Sequence, residues 1–568
     1  MSASKEELQS VTGVQLAQGI GHKPTQGFWA EAWAQVLTKW GALIGIGWVA
    51  IIAFFAIFAP LIASGHPLIM WEIGEGGEKT MSSPLVDALS GADVVLLAWG
   101  LVVPIFLMLP MIKLTRSERL RILIAGGLQS AVITVLAGVM RARYAGIYVS
   151  DEMREFEQSA GFVPKMTILI AVISIIPFLF IAIWVYKSWW RSSMVVMVAI
   201  VVALLVGWKW SPTLPNFDYR ALQASGEIEA VYTLVPYSPS QGSSTMYNRE
   251  PGATPMFALW EKFENQMRLD NEHRAMYSDE QLSSMVVDEA VFARLRSVAP
   301  SLTSLMSEPV AGVIEGFENA HADGSIPTLI ELKGAITEYK SPGHFLGTDV
   351  FGQDVLSQML HACRLSISIG LVSTSIAVTI GVVVGAIMGY FGGIIDLLLY
   401  RVVEVFMAIP VLFLLIVAAG VLPRNIYIMM AIIGCFTWTG AARFVRAEFM
   451  KLRNVDYIQS ARAMGLPLRS ILFKHMLPNG VTPVLVEASF AIAAAILIEA
   501  TLSYLGLGPA NQASWGLLLS NATGDTGAFV WWLAIFPGGA IFLTALAYNL
   551  IGEALRDAVD PKLKKARV

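Results

Sequence analysis

Residues 456–479 read DYIQSARAMGLPLRSILFKHMLPN and lie between two long apolar runs. The stretch is too polar to cross a bilayer, since it carries Arg462, Arg469, Lys474 and His475. Residues 456–464 are good helix formers, and Gly465 stands where a helix is capped at its C-terminus. Pro467 suits the first turn of a second helix, where a missing amide proton costs little. Leu477-Pro478 is expected to close that second helix, 467–476, before the next apolar run. The pattern predicts two short helices at an angle, lying on a membrane surface. Such a pair cannot bury its own faces and requires lipid headgroups or a partner's groove.

The surrounding chain supplies the membrane. Its 568 residues are 55% hydrophobic and only 14% charged, with mean hydropathy +0.61. Soluble domains average about 25% charged residues, so the balance indicates a membrane protein. A net charge of −4 gives no sign of a nucleic-acid partner. The two cysteines, Cys363 and Cys435, exclude a disulfide framework and read as small buried hydrophobes. The polar start lacks a convincing cleavage site, so no removable signal peptide is expected. No Gly-Lys dipeptide occurs, which excludes a Walker A phosphate loop and assigns any nucleotide hydrolysis to another chain.

Runs of the length that spans a bilayer fall at about 41–64, 94–112, 121–140, 166–186, 193–208, 364–390, 396–421, 426–447, 480–505 and 527–553. Lys and Arg gather in the short segments 113–121, 187–191 and 448–479, and again in the tail. With the N-terminus inside, this count of spans places all four on the cytoplasmic side. Arg141 and Arg143 fall outside against that rule, followed by Asp151, Glu152, Glu155 and Glu157. In the leader, FWAEAWAQVLTKW (28–40) puts Phe28, Trp29, Trp33, Leu37 and Trp40 largely on one face, as an interfacial helix would. A plain cytoplasmic extension of the first span accounts for it equally well. The long segment 209–363 is acidic on balance. Phe257, Trp260, Phe263 and Met267 stand at helical spacing within it, and a second amphipathic run covers about 280–297. A small, mostly helical extracytoplasmic domain follows. The halves show no internal repeat of the kind that marks many secondary transporters.

Gln459-Ser460-Ala461-x3-Gly465, followed by Leu477-Pro478, resembles the "EAA" loop of ATP-binding-cassette importer permeases, with Gln459 and Ser460 where Glu and Ala are usual. Further segments are similar to the C-type permease subunit of the dipeptide/oligopeptide/nickel importers. HFLGTDVFGQDVLSQMLHACRLSISIGL (344–371) resembles HPLGTDxxGRDVLSRxxxGxRxSLxxG, departing at Gln353, Gln358 and Ala362. GYFGGIIDLLLYRVVEVFMAIPVLFLLI (389–416) resembles GGxxDxxxxRxxDxxxxxP, with Glu404 where Asp is usual. The resemblance covers about 41–68 and 343–565 and leaves 69–342 unmatched.

The resemblance implies an all-α polytopic membrane protein. Its parts would be a six-span type I ABC importer permease core, four inserted transmembrane helices and the extracytoplasmic domain. The expected divisions are a cytoplasmic leader (1–40), the first core span (41–68), the inserted helices (69–208), the outer domain (209–345), the rest of the core (346–556) with its loop 448–479, and a cytoplasmic tail (557–568). The implied protein is a permease subunit of an ATP-driven importer for peptides or similar small solutes in a bacterial inner membrane. It is not itself an enzyme and binds no cofactor. ATP and Mg belong to two partner ATPases, and the other partners are a second, B-type permease, an extracytoplasmic solute-binding protein and membrane lipid. Gln459, Ser460, Ala461, Arg462, Gly465, Pro467, Leu477 and Pro478 would form the ATPase-coupling loop.

Other candidates come from charge placement. Asp396, Arg401 and Glu404 cluster near the inner end of a span, with Arg401 and Glu404 three apart on one face and able to pair. Glu499, a carboxylate within a span, is a candidate for the pathway, and a structural hydrogen-bond role is equally open to it. Asp349 and Asp354, with Gln353, Gly347 and Gly352, would shape an outer gate. His361 and Cys363 lack further ligands, so no metal is expected. An ion-coupled secondary transporter, or a membrane-anchored receptor or enzyme acting through 209–345, are the readings from other classes.

Overall fold

The computed structural model describes residues 28–73, 78–108, 119, 122–134, 189–208, 219–224, 227–243, 246–268, 285–298, 310–326, 328–338, 343–480, 482–510, 512–523 and 529–559. The expected span 166–186, the leader before Phe28, most of the basic segment 113–121, residues 141–157 and the tail from 560 lie outside them. Among the described residues, five helices are long and apolar enough to cross a membrane, and two bent pairs would raise that to seven.

A short helix α1 (Phe28–Val36) precedes the first span, α2 (Trp40–Ile62). Ala32 and Val36 of α1 are buried against Ala42, Ala554 and Ala558. Trp33, Leu37 and Trp40 stay exposed, which keeps an aromatic stripe free for an interface. The chain then forms a three-stranded antiparallel sheet, ordered β2-β1-β3, from β1 (Ile69–Ile73), β2 (Lys79–Ser82) and β3 (Ile228–Val231). This corrects the all-helical expectation. Strands of four and five residues carry too little alternation to be read from sequence, and β1 meets β3 only because the chain returns after more than 150 residues. Val235 N–H donates to Ile62 O at 2.9 Å and Ser64 N–H to Val235 O at 3.1 Å, so the chain returns to the end of α2. Between β1 and β3, after α3 (Pro84–Ala88), lie α4 (Gly91–Met108), the apolar helix α5 (Ile122–Thr134), α6 (Trp189–Trp208) and α7 (Tyr219–Ala224).

The helices α8 (Pro255–Arg268), α9 (Glu289–Val298), α10 (Val310–Ala322) and α11 (Leu329–Glu338) pack around one apolar cluster. Trp260, Phe263 and Met267 point into it as their spacing predicts, with Met256 and Leu259 beside them. Phe257 points outward, because the buried register runs through Met256 and Trp260, one position from the Phe257 face.

The expected span at 364–390 begins earlier. Asp354 caps the 37-residue helix α12 (Val355–Phe391), its side chain accepting from Ser357 N–H. At 1.5 Å per residue α12 is about 55 Å long, well beyond a hydrocarbon core of roughly 30 Å, so it projects past the membrane. The expected span at 396–421 is two helices, α13 (Gly393–Ala408) and α14 (Val411–Val421), bent by 80°. Pro410, at the α14 N-cap, has no amide to continue α13. The next is also bent, by 43°, into α15 (Ile426–Thr437) and α16 (Thr439–Leu452). After the polar segment come α17 (Thr482–Tyr504), α18 (Trp515–Asn521) and α19 (Trp531–Val559).

The tightest crossing joins α12 to α16. Gly381, Gly385 and Gly389 recur every four residues, so they share one face. A Cβ on Gly385 would stand 2.8 Å from Val445 Cβ, and one on Gly381 would stand 2.6 Å from Ala441 Cβ. Gly420 on α14 has open space around it. Gly385→Ile should therefore cost about 1–3 kcal/mol by overpacking, read as a lower unfolding midpoint of the purified chain in detergent, while Gly420→Ala should be close to neutral.

Candidate functional site

The polar segment after α16 forms two arms. The first is a helix, Asp456–Ala463. Gly465 ends it in the left-handed region, φ 71°. Gly465 N–H donates to Arg462 O at 2.9 Å and Leu466 N–H to Ala461 O at 3.2 Å. This is the pattern of a Schellman cap, which favours glycine for its positive φ.

Pro467 is the N-cap of the second arm, one position before the helix it was expected to open. That arm does not close at Leu477-Pro478. It runs through Leu468–Ser470, a π-helical turn Ile471–Met476 and Leu477–Gly480. Pro478 has no N–H to donate, and in an α-helix its ring would crowd the preceding turn. A widened turn, in which Leu477 N–H reaches back to Leu472 O, relieves that crowding and lets the helix continue toward α17.

One side of the V is held by packing. Ile458, Ala461, Ile471 and Met476 are buried with Val445 and Phe449 of α16, Ala386 of α12 and Val484 of α17. Each buried aliphatic side chain contributes about 1.5–3 kcal/mol. The Arg462 guanidinium lies 4.4 Å from the Tyr390 ring centroid at the end of α12. Asn479 Nδ2 donates to Tyr457 Oη at 3.3 Å, which ties the open ends of the two arms. The other side is bare: Gln459, Ser460, Met464, Leu468, Arg469, Phe473 and Lys474 are exposed, and Met464 at the elbow is 73% accessible. The result is a rigid elbow with a mixed apolar and basic outer face.

A second clamp supports the same region. Asp396 accepts two hydrogen bonds from Arg446, from Nε at 2.5 Å and Nη2 at 2.7 Å, and the guanidinium stacks 4.6 Å from the Tyr400 centroid. The expected cluster of Asp396, Arg401 and Glu404 is therefore divided. Arg401 Nη1 donates to Glu404 Oε2 at 2.5 Å on an exposed face, while Asp396 turns to α16. Arg446, Tyr390, Tyr400 and the glycine stripe were not singled out from sequence. The i, i+4, i+8 glycine spacing was the signal that could have found the stripe.

Asp349 and Asp354, the candidate gate residues, both sit in one hydrogen-bonded turn. Asp354 Oδ2 accepts from Ser357 N–H at 2.7 Å and Oδ1 engages His344 Nδ1 at 2.8 Å. Asp349 Oδ1 accepts from the amides of Phe351 and Gln353, both at 2.9 Å, and Oδ2 accepts from Gln358 Nε2 at 2.8 Å. Both carboxylates are buried, because residues 246–253 fold over the turn. Asn248 N–H donates to Asp349 O, Gly252 N–H to His344 O and His344 N–H to Ala253 O. These carboxylates hold the turn. Glu499 is also fully buried, accepting from Ser503 Oγ at 2.7 Å with Ser366 Oγ 3.5 Å away. It lies between α12 and α17, inside this chain's own packing. His361 Nε2 meets Ala63 O at 2.9 Å and Cys363 meets Met359 O at 3.4 Å.

Residues 381–565 match the family described as the inner membrane component of binding-protein-dependent transport systems, and residues 27–70 match the N-terminal TM domain of oligopeptide transport permease C. The chain is 40% identical over 220 residues to the oligopeptide transport system permease protein OppC of Haemophilus influenzae, covering 39% of this chain and 70% of that one. It is 36% identical over 226 residues to OppC of Bacillus subtilis, covering 40% and 74%. It is also 37% identical over 230 residues to the glutathione transport system permease protein GsiD of Pectobacterium atrosepticum, covering 40% and 76%. Among solved structures it is similar to the MetNI methionine ABC transporter at 18% identity and a TM-score of 0.29, over 36% of this chain and 98% of that one, too distant to place any element. Helical spans and family matches together define a multi-pass membrane component of a binding-protein-dependent transport system. Within that class the chain belongs to the C-type permeases of the oligopeptide and dipeptide ATP-binding-cassette systems.

Two measurements check the geometry. Arg446→Leu leaves Asp396 unpaired and should cost about 3 kcal/mol, near the lower end for breaking a buried pair, read by unfolding of the purified chain. Arg401→Leu should cost at most about 1 kcal/mol, as for an exposed pair. Burial is the largest influence on Asp349 and pushes its carboxyl above the usual carboxylate value, against the donors that favour the ionised form. A raised native value places this group's stabilisation below the unfolded value, to be lost as pH rises through the native one. The stability of wild type relative to Asp349→Asn should therefore fall as pH rises from about 4 toward 7. An unchanged difference across that window would contradict the assignment.

Proposed function

We propose that this chain is a permease subunit of an ATP-driven importer for peptides or similar small solutes, forming half of the translocation pathway. The observation that carries the reading is the elbow at 456–480. Its inner side is fixed to α12, α16 and α17, while its outer side offers Met464, Leu468, Phe473, Arg469 and Lys474 to a partner. Two ATP-binding-cassette ATPase subunits supply that partner and hold the ATP and Mg. The chain itself binds no nucleotide and catalyses no covalent step. A second, B-type permease completes the pathway, and an extracytoplasmic solute-binding protein delivers the solute.

The division we favour is a six-span core formed by α2, α12, α13 with α14, α15 with α16, α17 and α19. The family matches at 27–70 and 381–565 support it. The inserted helices and the outer domain 209–345 interrupt that core after its first span. Both termini and the elbow are cytoplasmic, as the distribution of Lys and Arg supports. Movement of the ATPases would pass from the elbow along α16 and through its glycine-lined crossing into α12. A secondary transporter, or a receptor or enzyme acting through 209–345, is not favoured, since the matched relatives are binding-protein-dependent permeases.

Gly465→Trp tests the coupling role. Nothing lies within 4 Å of a Cβ added there, so the change perturbs the outer face and strains the left-handed cap without disturbing the chain's own packing. Membrane insertion should persist while uptake falls at least tenfold relative to ATP hydrolysis in the reconstituted complex. Wild-type uptake would refute the role. Gentle co-purification should bring down two ATPase chains and a second permease.

A further inference from the structure

The first span α2 has 23 residues, about 35 Å at 1.5 Å per residue, so it crosses a hydrocarbon core of roughly 30 Å with little to spare. Its start therefore lies at the membrane boundary. Lys39, extended at φ −91° and ψ 123°, breaks the helix there, so α1 is a separate helix and not a plain extension of the span. Thr38 N–H donates to Gln35 O and Lys39 N–H to Val36 O, both at 3.1 Å, which makes the connection a tight turn. A link this short keeps α1 within about 14 Å of the start of α2 even if it were fully stretched. The helix is confined to the boundary layer.

One side of α1 is fixed to both the first and the last span. Ala32 and Val36 lie on Ala42 of α2 and on Ala554 and Ala558 of α19. Lys39 pairs with Asp557 near the end of α19, which sets two charges at the level of the break, where hydrocarbon gives way to headgroups. The spans themselves touch closely: a Cβ on Gly45 of α2 would stand 2.6 Å from Ala547 O of α19. The remaining arc of α1 is divided in two. Trp33 and Leu37, one turn apart and so on one face, are 49% and 51% exposed, and Trp40 beside them is 81% exposed. Ala34 and Thr38, also one turn apart, are exposed next to that stripe, with Thr38 Oγ1 donating to Gln35 O at 2.7 Å. An indole combines an apolar body with one N–H, which suits the headgroup layer better than bulk water or hydrocarbon.

We propose that α1 is a lipid-binding foot. Trp33, Leu37 and Trp40 seat in the phospholipid headgroup layer, Ala34 and Thr38 face water, and the foot holds the end of α19 at that level through Lys39 and the alanine contact. The inference rests on the chain's membrane embedding and is independent of the transport role described above. Trp33→Cys, Leu37→Cys and Thr38→Cys are each made in a Cys363→Ala, Cys435→Ala chain, labelled with a nitrobenzoxadiazole dye and reconstituted in nanodiscs of phosphatidylcholine and phosphatidylglycerol. Each single change leaves the other residues of the stripe in place.

Labels at 33 and 37 should be quenched by lipid carrying a shallow doxyl group and be about threefold less accessible to aqueous iodide than the label at 38. Equal iodide access at the three positions overturns the foot. Shielding at 33 and 37 without lipid quenching, as a protein partner would give, overturns it too. The anchoring of α19 has its own readout. The triple variant Trp33→Ser, Leu37→Ser, Trp40→Ser, confirmed as folded by size-exclusion chromatography, should exchange the amides of residues 553–559 about tenfold faster in nanodiscs. Unchanged exchange there overturns the anchoring.

Discussion

The structure depends on how closely α12 and α16 approach. Lipid offers no hydrophobic drive for helices to associate, so contact area and backbone proximity must do it. Gly381, Gly385 and Gly389 remove the side chains that would hold the two helices apart. That approach lets Asp396, at the start of α13, reach Arg446 on α16. It also brings Phe449 to the cluster that seats the elbow. Without this crossing, the elbow would sit on the end of a loosely held helix.

The two ends of α12 are treated differently. At one end, Tyr390 and Arg462 hold an elbow whose outer face is bare. At the other, the 343–354 turn is enclosed: Asp354 caps the helix, Asp349 holds the turn, and the backbone of 246–253 pairs with it. Residues 246–253, just before α8, are thus hydrogen-bonded into the turn that starts α12. Arg364 and Asp93 add a charged link from the same helix to α4. Segments far apart in the chain are therefore joined at that end.

Much of this was legible beforehand. Long apolar runs placed α2, α4, α17 and α19 because charge inside a bilayer is expensive and leaves few alternatives. Gly465 announced its cap because few other residues tolerate that φ. Local pattern failed where a partner distant in sequence decided the outcome. Asp396 looked like a neighbour of Arg401 and pairs with a residue 50 positions away. Asp349 and Asp354 read as part of a polar turn, and the segment about 100 residues upstream that covers them was not foreseen. The π turn at 471–476 needed both Pro478 and a continuing helix, and only the second was hidden.

By itself, then, the sequence determined the membrane class, most of the apolar helices, the bent polar pair and the absence of a phosphate loop. Each follows from composition, periodicity or the stereochemistry of single residues, which act over a few positions. The tertiary structure decided which charges meet, which carboxylates are closed off from water, and which face of DYIQSARAMGLPLRSILFKHMLPN stays open. Those outcomes depend on backbone distances between segments far apart in the chain, and above all on how near three glycines allow one helix to approach another.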